Sequence, residues 1–167
     1  QMPFPEDWRV LLVFDRGAQG AHGDRETSAF AALPPFPEAL ADRLCRLVLM
    51  QLVPGLKEED IAAFGSALTQ IQAIVGSHFA AAQGGSPWTS PAVGALLKRA
   101  AEQGATGIGQ TSWGPTGFGF VPSQHVADRL YHSLVEDAKA IGLEIMIARG
   151  RNSGATVVDG RQTPVRS

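Results

Sequence analysis

This chain has a single thiol, Cys45. An internal disulfide is therefore excluded, and one Cys beside four scattered His gives no zinc-ligand spacing. Cys45 falls in an apolar helical run and is expected to be a buried, inert thiol rather than a nucleophile. Excess positive charge is also missing. A formal net charge of -2 leaves no basic footprint for nucleic acid or an anionic membrane. A small anion remains compatible, because backbone N–H groups and one or two Arg can hold it. No apolar run is long enough to span a membrane and no leader is recognisable, so the expected location is cytoplasmic. Repeats and low-complexity tracts are absent. Charged residues make up only 18% and hydrophobic ones 44%, the profile of a folded chain.

The 167 residues suit one domain with a real core, expected over residues 3–159, with 160–167 a frayed or tag-like tail. Gln1-Met2-Pro3 leads almost directly into an apolar, β-branched run at 8–14, read as a strand. So abrupt a start is expected of a cut through a longer protein. Residues 15–24 form a polar loop, and 28–33 a short helical turn stopped by Pro34-Pro35. Pro37 suits a helix start, with Leu40, Leu44, Leu47, Val48 and Leu52 on one face and Pro54-Gly55 as its end. A longer helix from about Glu58 carries Ile61, Phe64, Leu68, Ile71 and Val75, and the two are expected to pack as a hairpin. Residues 83–87 break the pattern. Ser90-Pro91 then opens a helix that Gly104 stops. Strands are expected at 106–110 and 117–121, a helix capped by Ser123 and closed by Gly142, a strand at 143–148 and a last short one at 155–158. This order predicts an α+β fold: an antiparallel sheet of the split βαβ type, covered on one face, with an inserted helical hairpin.

The stretch richest in chemistry is Gly107-Ile108-Gly109-Gln110-Thr111-Ser112-Trp113-Gly114-Pro115-Thr116-Gly117-Phe118-Gly119. Its five glycines let backbone N–H groups approach a ligand, Gln110, Thr111, Ser112 and Thr116 add neutral donors and acceptors, and Trp113 adds a flat apolar wall. Such a loop suits a phosphate or sugar phosphate. It has neither P-loop nor Rossmann spacing. The simpler reading is a hairpin whose small residues permit close packing.

Three further groups carry titratable or amide side chains. The loop around His22, Asp24, Arg25 and Glu26 could hold an acid or base, with solvated surface charges the simpler account. Arg149, Arg151 and Asn152 flank a glycine turn that could clamp an anion, with surface arginines beside a Gly turn an equal account. Gln70, Gln72 and His78 lie on the long helix, where a satisfied hydrogen bond is the simpler use of a glutamine. His125 and His132 are two helical turns apart and read as surface residues. Trp8 and Trp88 are core or lid candidates, with core favoured.

The run from Gly109 to Phe118 resembles the signature of the beta-ribofuranosylaminobenzene 5'-phosphate synthases, a family within the GHMP kinase superfamily that acts in methanopterin biosynthesis. Phe64-Gly65-Ser66-Ala67-Leu68-Thr69-Gln70-Ile71-Gln72, residues 79–85, Arg151-Asn152-Ser153-Gly154-Ala155 and residues 20–30 resemble further parts of it. In that superfamily the Pro-x-x-x-Gly-Leu-Gly-Ser-Ser phosphate loop and the principal acid/base residues lie in an N-terminal half, and nothing like that motif occurs here. The resemblance thus implies the ferredoxin-like C-terminal domain alone, inactive by itself, with the N-terminal domain as the missing partner. It implies a reaction joining phosphoribosyl pyrophosphate to a para-substituted benzoate such as 4-aminobenzoate, with loss of CO2 and pyrophosphate. It assigns Gly109, Gln110, Thr111, Ser112, Trp113, Gly114, Thr116 and Gly117 to phosphate or ribose, with Trp113 against the arene and Arg151 and Asn152 as secondary ligands. Replacing Trp113 and Ser112 by Ala is then expected to lower turnover and leave the fold intact. Mg2+ is expected in the intact enzyme and none on this domain alone. No catalytic residue is assigned, and a homodimer stays open. A kinase C-terminal domain of the same superfamily and a stand-alone ligand-binding or dimerisation module are the other readings.

Overall fold

A computed structural model describes residues 2–20 and 23–155. Its elements run β1 (Arg9–Asp15), α1 (Asp24–Ala32), α2 (Glu38–Leu47), a π-helical turn (Val48–Leu52), α3 (Val53–Lys57), α4 (Ile61–Phe79), a 3-10 turn (Ala80–Gln83), α5 (Pro91–Glu102), β2 (Thr106–Gln110), β3 (Gly117–Val121), α6 (Gln124–Ala140) and β4 (Leu143–Arg149). The four strands form one sheet in the order β2-β3-β1-β4, and every neighbouring pair is antiparallel. That is the ferredoxin-like α+β arrangement expected from the element order, with α1 to α4 inserted between β1 and α5.

Alternation along β1 sends Leu11 and Val13, both fully buried, into the main core. In register with them lie Gly119 and Gly117 on β3 and Ile147 and Ile145 on β4. Helices α5 and α6 cover this face with Val93, Leu96, Leu97, Ala127, Leu130 and Leu134. Ser90 and Ser123 cap the two helices, their side-chain oxygens accepting from Val93 N–H and Val126 N–H.

The expectation of a sheet covered on one face needs correcting. Helix α4 lies over the opposite face at the β2 end, where Phe64 meets Phe120 and Gly65 approaches Thr106. The cause is visible in the sequence of β3: Phe118 and Phe120 alternate with glycines, so the large side chains need cover on this second face.

Other boundaries shift. Helix α1 begins at Asp24, earlier than the turn expected at 28–33. Pro54-Gly55 does not end a helix: the π-helical turn runs on into α3 with helical backbone at Leu52 and Val53, and Pro54 takes a first-turn position of α3. The chain turns instead at Glu59, whose φ is 57°, and α4 starts at Ile61, with Asp60 accepting from the N–H groups of Ala62 and Ala63. The α2–α4 hairpin forms as expected, tied by Gln51 donating to the Ala63 carbonyl and Arg43 to Gln70. Cys45 is exposed, not buried: α2 buries Leu47, and Cys45 points away from that side. The strand expected at 155–158 is not seen at Ala155, and its remainder, like residues 160–167, lies outside the described residues.

Candidate functional site: the β2–β3 turn and the cleft along β2

The turn between β2 and β3 is closed by Thr111, whose N–H donates to the Thr116 carbonyl at 2.9 Å while its hydroxyl donates to the same oxygen. Inside this loop Ser112 has φ 35° and Gly114 φ 62°, left-handed conformations that Gly accepts freely and Ser does not. Among the described residues, the N–H groups of Ser112 and Trp113 and the Ser112 hydroxyl make no hydrogen bond. Two successive unpaired amides in a turn form the concavity that binds anions.

Trp113 does not stand open to ligand. It is 7% exposed, packs edge-on against Phe30 and Phe79, and donates its indole N–H to Glu26 at 2.8 Å. The loop after β1 therefore wraps the turn from outside. A side chain at position 20 would collide with the Trp113 and Gly114 carbonyls. Glu26 is thus engaged in holding the turn; His22 lies outside the described residues.

The inner side of the turn is fixed by amides. Gln110 accepts from Thr89 N–H at 2.9 Å and donates to Gln83 at 2.9 Å, and the Thr89 hydroxyl donates to the Trp113 carbonyl at 2.7 Å. Strand β2 is the edge of the sheet, and α4 supplies acceptors for its outward N–H groups. Thr69 takes Ile108 N–H and Gln72 takes Gln110 N–H. The Gln72 oxygen thus makes the structural hydrogen bond of the simpler reading, and the side chain also lines the cleft described below. Gln70 bonds Arg43 and Ser66 at the surface, and His78 packs edge-on against Phe36 and Phe79.

Beside β2, between α4 and α5, opens a cleft of about 290 Å³. Val75, Phe79, Pro87, Trp88 and Ile108 give it apolar walls, and Gln83, Gln110, Ser112 and Lys98 line it as well. Gln83 and Lys98 were not singled out in the sequence. Gln83 borders a Gly-Gly turn that reads only as a break, and nothing local distinguishes Lys98 from the surface cation Arg99.

Two of the glycines assigned to ligand are closely packed. A Cβ at Gly117 would lie 2.4 Å from Val93, and one at Gly109, which also lines the cleft, would lie 2.4 Å from the Gln72 side chain. Arg151 and Asn152 are not brought to this site. They follow β4 at the Arg9 end of β1, whereas the turn extends beyond Val13, so the seven-residue length of β1, about 20 Å, separates them. There Asn152 is paired both ways with the Phe4 backbone, and Arg151 with Ser153 and the Gly154 carbonyl. No group of three or more His, Cys, Asp or Glu that could hold a metal ion occurs among the described residues. His125 and His132 are exposed.

A sequence model described as GHMP kinases C terminal matches residues 52–140, more than half of the chain. The chain belongs to this family. The GHMP C-terminal fold is equally plain in solved structures. Mevalonate pyrophosphate decarboxylase from Streptococcus pyogenes superposes with a TM-score of 0.63 over 93% of this chain and 48% of its own, at 10% identity. Homoserine kinase from Cytophaga hutchinsonii gives 0.57 over 89% and 42%, at 16% identity. Among curated proteins, a beta-ribofuranosylphenol 5'-phosphate synthase from Methanothermobacter thermautotrophicus is 27% identical over 157 residues, 93% of this chain and 44% of the relative. One from Archaeoglobus fulgidus is 29% identical over 159 residues, 94% and 46%. The chain thus spans just under half the length of the curated relatives it matches. Among the described residues, no helix of this GHMP domain is long and apolar enough to cross a membrane.

Proposed function

We propose that this GHMP C-terminal domain is part of a synthase that joins phosphoribosyl pyrophosphate to a para-substituted benzoate, releasing CO2 and pyrophosphate. The observation that supports it above all is similarity along 93–94% of the chain to synthases whose name specifies a ribofuranosylphenol phosphate. A phenol product corresponds to 4-hydroxybenzoate as acceptor, where an aminobenzene product corresponds to 4-aminobenzoate.

In this reaction the bond from ribose C1 to pyrophosphate breaks, and the leaving group takes the electron pair. The ring carbon bearing the carboxylate forms the new carbon–carbon bond. Loss of CO2 returns its electron pair to the ring, so atoms and charge balance without an added oxidant or base. The chain's task is to hold anionic oxygens and the ring in register and to exclude water. The unpaired amides of Ser112 and Trp113 offer N–H donors to a phosphate oxygen. Glu26, Thr89 and Gln110 hold the turn in that shape, which makes them positioning residues. No step is assigned to a metal. The activity is proposed for the domain together with the further half that its relatives carry.

The GHMP fold likeness also favours a second reading, a small-molecule kinase domain, because homoserine kinase shares the architecture. Incubating the protein encoded by the complete gene with phosphoribosyl pyrophosphate and 4-hydroxybenzoate or 4-aminobenzoate is expected to release CO2 and pyrophosphate together. Turnover of ATP with neither product would reject the synthase.

A further inference from the structure

The cleft along β2 has a charge pattern of its own. Among the described residues its lining contains one cation, Lys98, and no carboxylate. Lys98 makes no ion pair or hydrogen bond among the described residues, although its neighbour Arg99 pairs with Asp137. Its position on α5 is one turn beyond Gly94, against which the Trp88 ring lies so closely that a Cβ would sit 2.7 Å from it. Further along β2, the linked amides of Gln83 and Gln110 and the unpartnered Ser112 hydroxyl supply neutral donors and acceptors. Ile108 and Gln110 are two strand positions apart, about 7 Å, comparable with the span between opposite substituents of a benzene ring.

A polyphosphate would leave most of its charge unmatched here: one ammonium faces it, and the remaining walls are largely hydrocarbon. A flat molecule with a single negative group fits one cation beside apolar walls. We propose that this cleft binds an aromatic monocarboxylate, its carboxylate on Lys98, its ring against Trp88 and Phe79, and a para hydroxyl or amine toward Gln83, Gln110 and Ser112. What the acid is for rests on the synthase reading; that it binds here rests on the cleft. Lys98 and Gln83 become specificity-determining residues, and the phosphate contacts stay with the neighbouring turn.

Calorimetric titration of the protein encoded by the complete gene tests this with 4-hydroxybenzoate and the uncharged 4-hydroxybenzamide. The acid is expected to bind about tenfold more tightly than the amide, the worth of one charge-assisted hydrogen bond. Lys98→Met is expected to abolish that preference and leave the amide's affinity unchanged. Lys98 is exposed and without a partner, so the variant should fold as the parent does. No measurable binding of the acid, equal binding of acid and amide by the parent, a preference that survives Lys98→Met, or displacement of the acid by inorganic pyrophosphate overturns the proposal. Turnover separates it from the reading it rests on. Product formation with an unchanged KM for the acid in Lys98→Met removes the cleft and keeps the synthase. Selective binding with no product keeps the cleft and removes the synthase.

Discussion

The two ends of the sheet carry similar side chains to different ends. At the Arg9 end, Arg9, Arg151 and Asn152 spend their donors within the chain. Buried Arg9 donates to Gln124 and to three main-chain carbonyls, and Asn152 closes a two-bond clamp on Phe4. At the turn end, an equally polar set leaves two amides, a hydroxyl and a lysine without partners among the described residues, beside a cleft. Arg, Asn, Ser and Gly make both ends look like anion sites in sequence. Only an account of where each donor goes separates a clasp from a site.

The sharpest way to test the division is Trp113→Ala. The expectation of lost turnover with an intact fold does not suit a side chain packed between Phe30 and Phe79 and bonded to Glu26. Truncation should cost about 3–5 kcal/mol. Urea unfolding should show it directly, and an unaltered midpoint would mean that the indole is not part of the packed wall. Gly117→Ala comes next. Its methyl group would enter the space held by Val93 and Leu97, destabilising by about 1–3 kcal/mol. Thermal unfolding that matches the parent would return Gly117 to the ligand-facing set.

Asn152→Ala probes the other end. Loss of two exposed hydrogen bonds should cost about 1 kcal/mol or less and leave kcat/KM as it was. A tenfold fall in kcat/KM at unchanged stability would place Asn152 in the site after all and break the comparison.

Much of the scaffold was legible because local chemistry and tertiary packing agree there. Ser90-Pro91 and Ser123 cap helices where expected, and β2 and β3 fall on the predicted residues because the apolar runs are interrupted by the Gly-Pro turn. Pro54 misled because a π-helical turn delivers the chain into a new helix, which makes Pro a first-turn residue instead of a stop. Cys45 misled because an apolar run says nothing of which side is buried. The site was half legible. The five glycines pointed to the hairpin, yet Gly109 and Gly117 also make room for Gln72, Val93 and Leu97, partners far away in sequence. Gln83, on the turn after α4, and Lys98, on α5, line one cleft only because both helices pack against β2, a juxtaposition that no local spacing encodes.

The smallest change is the most discriminating. Ser112 contributes two things to the turn, an unpartnered hydroxyl and an unpaired N–H, at a φ of 35° that an L side chain rarely adopts. Ser112→Gly removes the hydroxyl, keeps the amide and relieves the backbone, so it should stabilise by some tenths of a kcal/mol up to about 1. Ser112→Ala removes the same hydroxyl without relieving the backbone and should lie within about 0.5 kcal/mol of the parent. If phosphate is held by the main chain, the two variants should share a KM for phosphoribosyl pyrophosphate within about twofold of the parent. A tenfold rise in both, about 1.4 kcal/mol, would move the contact from the amides to the hydroxyl. A rise in Ser112→Gly alone would show that the left-handed conformation itself, held rigid by the serine, shapes the concavity.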